Sequence, residues 1–162
     1  MGRTLGDIAN PSTRVWARFN QATRCFKGLL NYEKVYEWYI SKAIDAMIAE
    51  GVMYAELRPM LMDKSIPTTD GKKKVSHDQQ MDLIISCVAK KKEELAKAGK
   101  AKQFPFGLKI IYCTPRSIPK LKMRSEMQDC INLKIKYPDL ICGKHSPLIA
   151  LTSAVLLIIH RV

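Results

Sequence analysis

Two charged residues interrupt an otherwise apolar stretch of the chain. Glu56 and Arg58 lie in "VMYAELRPML", which predicts a buried strand from Val52 to about Arg58 that ends at Pro59. Because residues i and i+2 of a strand point to the same side, the two side chains share one environment. Charged residues near the carboxyl end of a barrel strand can line a site, whereas buried charges elsewhere pair with a neighbouring element. We favour the buried ion pair and keep the pocket edge as the alternative.

Other residues with chemical potential form no recognisable site. Arg116 follows the second predicted strand and has the same two interpretations as Glu56 and Arg58. His77, His145 and His160 are too far apart for an HxH, HxxxH or HxxEH zinc motif. The chain also lacks GxGxxG, GxxxxGK[ST] and GxSxG, the glycine-rich motifs of nucleotide binding and acyl transfer. Its 5 cysteines include no CxxC pair, which excludes a disulfide framework.

The charge balance leaves a binding function open. Net charge is +12, and the lysines come in short runs such as "GKKK" and "KAGKAK". A basic surface can bind a polyanion, so a non-catalytic basic binding protein, growth-factor-like or polyanion-binding, is the alternative function. The runs lack the interleaved aromatic residues that stack on single-stranded nucleic acid, so we expect no nucleic-acid partner.

The patterning alternates helices and strands. Apolar spacing predicts a helix from Asn31, as its N-cap, to Glu50, with Gly51 as the C-terminal cap. A polar loop then leads to a capping box at Ser76 and Gln79, which begins a second helix closed by Gly99. The remaining elements are a strand over 106–113, a helix ending at Pro138 with its apolar line along 121–133, and a strand over 140–143.

This order predicts an α/β fold. Strands joined by helices form parallel sheets through right-handed crossovers. About three parallel strands do not complete a domain, so the pattern indicates part of a doubly wound sheet or of a (β/α)8 TIM-type barrel, which needs about 250 residues. The apolar spacing of Trp16, Phe19 and Phe26 predicts core packing on a further helix.

The two ends of the chain carry no targeting signal that we recognise. The first residues have no apolar core of a secretory signal peptide. The apolar run over 147–159 is shorter than the roughly 20 residues of a membrane-spanning helix, so no membrane span is expected. This run has neither strand nor helix periodicity, and we interpret it as unrelated to the preceding fold and prone to association.

Several segments together resemble a known family. "VWARFNQATRCFKGLLNYEKVYEWYISKAIDAMIAEGVMYAELRPML", "FGLKIIYCTPRS" and "NLKIKYPDLICG" resemble, in this order, segments of the secreted adenosine deaminases, or adenosine deaminase-related growth factors. The resemblance runs from Val15 to Gly143. It implies a (β/α)8 barrel with one zinc ion that converts adenosine and water to inosine and ammonia. It also implies an extracellular protein and allows a homodimer.

The resemblance assigns few site residues to this chain. It implies that Trp16 and Phe19 border the nucleoside pocket, while Pro115 stands where the family can have a histidine. The family's HxH zinc ligands, later histidine, terminal aspartate and H-A-G-E glutamate have no counterpart here. We therefore expect no bound zinc, no catalytic residue and no activity from this chain alone. Residues 1–143 are predicted to be a truncated barrel and 144–162 an unrelated tail, from a real truncation or a gene-model error.

Overall fold

The computed structural model describes residues 11–59, 61, 63–114, 119–145 and 158–159. In chain order the elements are α1 (Pro11–Leu30), α2 (Glu33–Ala49), β1 (Tyr54–Leu57), β2 (Ser65–Pro67), β3 (Lys74–Ser76), α3 (His77–Lys97), a 3-10 turn (Ala101–Gln103), β4 (Gly107–Cys113), α4 (Lys120–Lys136), β5 (Ile141–His145) and β6 (Ile158–Ile159).

One sheet contains the three strands that the sequence predicts, and they are parallel. Its strand order is β5-β4-β1-β6. Tyr54 of β1 lies opposite Gly107 of β4, and Ile110 of β4 lies opposite Ile141 of β5. The predicted α/β class with parallel strands is therefore confirmed. The two residues of β6 pair antiparallel with β1, so part of the predicted tail contacts the sheet edge.

The helices α2, α3 and α4 cover one face of this sheet. Their buried side chains form a single core cluster with the alternate strand residues that point toward them, such as Leu57, Ile110 and Ile141. The intervening strand residues point to the opposite face and are only half-buried. Within the described residues, the sheet thus has one face that helices cover and one face without a helix, which we call the helix-free face. The candidate site lies on the helix-free face.

Local capping signals place the helix boundaries. Gly51 and Gly99 follow α2 and α3 with φ of 74° and 69°, a region that a side chain disfavours. Ser76 and Gln79 form the predicted capping box at the start of α3. The predicted N-cap Asn31 is wrong, because α2 begins at Glu33 and its N-cap position carries no side-chain hydrogen bond.

The segment predicted as a loop is a β-hairpin. Strands β2 and β3 pair with Ile66 opposite Val75, and both of these side chains are buried. Thr68 and Asp70 stabilise the turn, since the Thr68 hydroxyl donates to Asp70 and accepts from the amide of Lys73. The turn residues were recognised in the sequence, but their flanking strands are three residues long and give little periodicity.

Two helices expose apolar residues that the sequence assigns to the core. On α1, Trp16 is 43% exposed, Phe19 40% and Phe26 43%. On α4, Cys130 and Leu133 are buried as predicted, but Ile131 is 44% exposed. The prediction of core packing is wrong for these exposed residues. Within the described ranges, no helix has the length and apolarity that a membrane crossing requires.

Candidate functional site

The helix-free face of β1 carries the polar residues singled out in the sequence. The side chains of Tyr54, Glu56 and Arg58 alternate with the buried Ala55 and Leu57 and are half-buried. Strand alternation therefore places all three on the side of the sheet away from the helices. This alternation is the pattern from which we predict that Glu56 and Arg58 share one environment.

A hydrogen bond joins the first two of these side chains. The Tyr54 hydroxyl donates to Oε1 of Glu56 over 2.9 Å. Desolvation, and then the hydrogen bond to this carboxylate, raise the pKa of Tyr54 to about 12. The phenol is therefore protonated at neutral pH, and it holds one carboxylate oxygen in place. Sequence reasoning missed Tyr54, although its i, i+2 spacing from Glu56 carries the same signal as that of Arg58.

The structure shows no ion pair for Glu56 or Arg58 within the described part of the chain, so the buried ion pair stays a prediction. The Arg58 Nε is buried and has no hydrogen-bond partner in this part of the chain. A buried guanidinium donor without an acceptor is costly.

A lysine faces the carboxylate from the neighbouring strand but binds elsewhere. Glu56 lies opposite Lys109 in the register of β1 and β4. The Lys109 Nζ donates instead to the backbone carbonyl of Asp139, in the turn before β5. Lys109 therefore ties β4 to the start of β5, and its charge still lies on the same face as Glu56.

Two cysteines complete the helix-free face. Cys142 is the extra residue where the β4–β5 register shifts, and its Sγ donates to the carbonyl of Ile110 over 3.4 Å. Burial, and then the Glu56 carboxylate, raise the pKa of the Cys142 thiol. Burial also raises the pKa of Cys113, against an opposing effect of Arg58. Both thiols are therefore protonated at neutral pH and are poor nucleophiles.

A buried polar contact on the other face fixes α4 to the sheet. The Tyr112 hydroxyl donates to Oε2 of Glu126 over 2.9 Å. Tyr112 is fully buried and Glu126 is 2% exposed. Burial, followed by this carboxylate, raises the pKa of Tyr112 well above its usual range. No spacing or motif marks Glu126, because it lies among other polar residues of a helix.

Two of the remaining predicted site residues are on α1, and the third is not described. Trp16 and Phe19 stack on α1, with ring centroids 5.7 Å apart and planes 23° apart. Arg116 lies outside the described residues. Lys27 of α1 pairs with Asp63 beyond the carboxyl end of β1 over 2.6 Å, which ties the end of α1 to that side of the sheet.

The described residues do not form a metal centre. Across those residues, no three His, Cys, Asp or Glu side chains are grouped in a way that could hold a metal ion. The helix-free face offers a fixed carboxylate, a protonated phenol and a guanidinium with an unused donor. Such a set of side chains can bind and orient a polar ligand.

Two clefts lie away from the helix-free face. One, of about 590 Å³, runs between α2 and α3 past Trp38 and Cys87. The other, of about 540 Å³, lies at the amino ends of β4 and β5 beside Phe106 and Tyr137. Neither is lined by Glu56 or Arg58, so they are separate from the predicted site.

Comparison with known proteins indicates a distant relationship. The chain is 28% identical to adenosine deaminase 2 of Sus scrofa over 131 residues, which are 80% of this chain and 23% of that protein. Its identity to adenosine deaminase 2 is 25% for Homo sapiens and 24% for Pongo abelii, with the same coverage. No protein-family model matches the chain. The chain thus spans less than a quarter of the length of these relatives and is distantly similar to part of them.

Proposed function

We propose that this chain supplies three consecutive parallel strands of an adenosine deaminase barrel, with the helices α2, α3 and α4 that precede them. The observation that carries the proposal is the similarity to adenosine deaminase 2 over 80% of the chain. The fold supports it, because β1, β4 and β5 are adjacent, parallel and in chain order, with α2, α3 and α4 on one face. A doubly wound sheet would have helices on both faces, whereas a barrel has them only outside.

In this arrangement the helix-free face lines the barrel interior. Tyr54 holds the Glu56 carboxylate, and the free Nε of Arg58 lies nearer the carboxyl end of β1, where barrel enzymes place their active sites. These side chains would position a polar ligand or a neighbouring side chain. Arg116 is proposed as a further pocket-edge residue.

The proposed activity of the complete barrel is zinc-dependent deamination of adenosine to inosine and ammonia. The described residues do not fit a zinc site, so its ligands and the acid–base residue would come from other segments. The chain alone is then expected to form no inosine and to bind no stoichiometric zinc. We further propose that Trp16 and Phe19 border the nucleoside pocket, and that the protein is extracellular.

A graft tests this proposal. Residues 15–143 of this chain replace the matching segment of pig adenosine deaminase 2, and inosine formation is measured with zinc and after chelation. We expect a soluble graft with zinc-dependent activity. A graft that folds without such activity, or that does not fold, would overturn the proposal.

Matched variants in the graft test the pocket assignment. Trp16 and Phe26 are both 43% exposed on α1. Trp16→Ala should raise KM for adenosine about fivefold, since a stacking contact contributes on the order of 1 kcal/mol. Phe26→Ala should change KM by no more than about twofold, because Phe26 is not assigned to the pocket. Equal effects of both variants would refute a pocket role for Trp16.

One observation favours the second candidate, a polyanion-binding protein. The β2–β3 hairpin exposes Lys72, Lys73 and Lys74 in succession, and their side chains have no ion-pair partner within the described residues. Replacing all three by Gln should shift elution from heparin to lower salt under this function. Replacing the ion-paired Lys90, Lys91 and Lys97 serves as the control, and equal shifts would indicate only a general effect of net charge.

A further inference from the structure

The cleft at the amino ends of β4 and β5 combines apolar surface with positive charge. Its volume of about 540 Å³ lies within the range of about 300–1,000 Å³ that is typical of small-molecule sites. Ile85 of α3 and Phe106, just before β4, supply apolar walls. Three lysines from three different elements also line it, namely Lys92, Lys109 and Lys136. We call this cavity the basic cleft.

The backbone at Gly107 holds Lys92 in the basic cleft. Gly107 has φ of 69°, and a Cβ at this position would lie 3.3 Å from Cε and 3.4 Å from Nζ of Lys92. A side chain here would therefore crowd the lysine. With glycine in place, the Lys92 ammonium lies against the start of β4 and donates to the Pro105 carbonyl over 3.0 Å. The position of this charge is thus fixed by the strand itself.

Lys92 and Lys109 keep their full positive charge. The Lys109 Nζ donates to the backbone carbonyl of Asp139, which lines the same cleft. A carbonyl carries no net charge, and an ammonium group has three donors, so each lysine can still bind an anion. Within the described ranges, no ion pair includes either lysine.

The acidic residues near the basic cleft do not cancel this charge. Asp139 is the only acid among the described residues that line it, and its side chain is exposed. Lys136 pairs with Asp78 over 2.6 Å, and its Nζ lies 5.6 Å from the centre of the Tyr137 ring. Lys92 and Lys109 together outnumber the Asp139 carboxylate, so the cleft attracts an anion.

Phe106 offers a ring surface beside these charges. It is 63% exposed at the edge of the basic cleft, where a planar ligand could stack on it. The cleft between α2 and α3 also has an exposed aromatic residue, Trp38, but it is lined by Glu37 and Glu94, which pair with two of its lysines. Apolar surface and uncompensated positive charge thus occur together in the basic cleft.

We propose that the basic cleft binds a small phosphate ester with a planar ring, its phosphate on Lys92 and Lys109 and its ring on Phe106. A phosphate monoester carries close to two negative charges at neutral pH, which matches these two ammonium groups. The proposal is independent of the proposed function, because the cleft lies at the amino ends of the strands, whereas barrel enzymes place their active sites at the carboxyl ends.

Calorimetric titration of the full chain at low ionic strength tests the proposal. The probes are 1-naphthyl phosphate and adenosine 5′-monophosphate, and the tighter of the two distinguishes an aryl phosphate from a nucleotide as the ligand. We expect 1:1 binding that is at least about fivefold tighter than that of inorganic phosphate or of 1-naphthol, since each of these supplies only half of the contacts.

Matched variants locate the binding site. Lys92→Gln and Phe106→Ala should each weaken binding of the esters about fivefold, and circular dichroism checks that both variants remain folded. The controls are Lys90→Gln, on the same helix, and Trp38→Ala, since Trp38 is 60% exposed and both residues line the other cleft. These controls should change binding by less than about twofold.

Three results would overturn the proposal. They are the absence of ester binding, esters that bind no tighter than inorganic phosphate, and control variants that weaken binding as much as Lys92→Gln and Phe106→Ala. The last result would indicate only a general effect of the net charge of +12 and of exposed aromatic residues.

Discussion

The contact between Tyr112 and Glu126 provides a sharp test of the β4–α4 packing. Tyr112→Phe keeps the ring and removes the hydroxyl that donates to the carboxylate over 2.9 Å. Glu126 is 2% exposed, so water cannot readily replace the lost donor. A hydrogen bond to a charged group contributes about 1.5–3 kcal/mol, and we expect the free energy of unfolding to fall by about 2–3 kcal/mol.

Urea unfolding measures this loss. With a urea dependence of about 1–3 kcal/mol per M, the midpoint should fall by on the order of 1 M. Tyr32→Phe is the control, because Tyr32 is 44% exposed and such changes stay within about 0.5 kcal/mol.

A double variant identifies the cause. Adding Glu126→Leu to Tyr112→Phe removes the unsatisfied carboxylate, so part of the lost stability should return. If Tyr112→Phe leaves the midpoint unchanged, the carboxylate is not buried as described and the reasoning fails. The reasoning also fails if Glu126→Leu lowers the stability of the Tyr112→Phe variant as much as it lowers that of the unaltered chain.

Two further changes test electrostatics and backbone geometry. The hydrogen bond from Lys91 is the main cause that lowers the pKa of Asp45. This pair therefore stabilises the fold at pH values above the unfolded pKa of about 3.9. The stabilisation is lost as the pH falls through the lower pKa of the folded state. Lys91→Met should lower the free energy of unfolding by about 0.2–1 kcal/mol at pH 7 and should leave it unchanged near pH 2. Urea unfolding at both pH values measures this, and an equal cost at both would contradict the assignment. Gly107→Ala should lower stability by about 1–2 kcal/mol, because Gly107 has φ of 69° and a Cβ would lie 3.3 Å from Cε of Lys92. Gly28→Ala in α1, with nothing within 4 Å of its Cβ, should be neutral or stabilising, and equal melting temperatures for the two variants would refute this.

The order of elements could be predicted because its signals are local. The capping box at Ser76 and Gln79 and the glycine after α2 are readable within a few residues, and both are observed. The parallel sheet follows from strands joined by helices. By contrast, the short strands of the β2–β3 hairpin lack a readable period, and their pairing depends on the turn formed by Thr68 and Asp70.

The candidate site was predictable in part. Strand alternation correctly places Glu56 and Arg58 on one face, but their partners depend on contacts that spacing does not specify. The Glu56 carboxylate binds Tyr54, and Lys109 binds a backbone carbonyl. Similarly, an apolar strip identifies a contact face without identifying the partner, so Ile131 and Phe19 were assigned to the core although they are exposed.

A crystal structure of the graft tests the central claim most directly. The account predicts that β1, β4 and β5 form three successive parallel strands of a closed barrel, with Tyr54 and Glu56 in its interior. A structure with helices on both faces of this sheet, or with Glu56 outside a barrel, would contradict it.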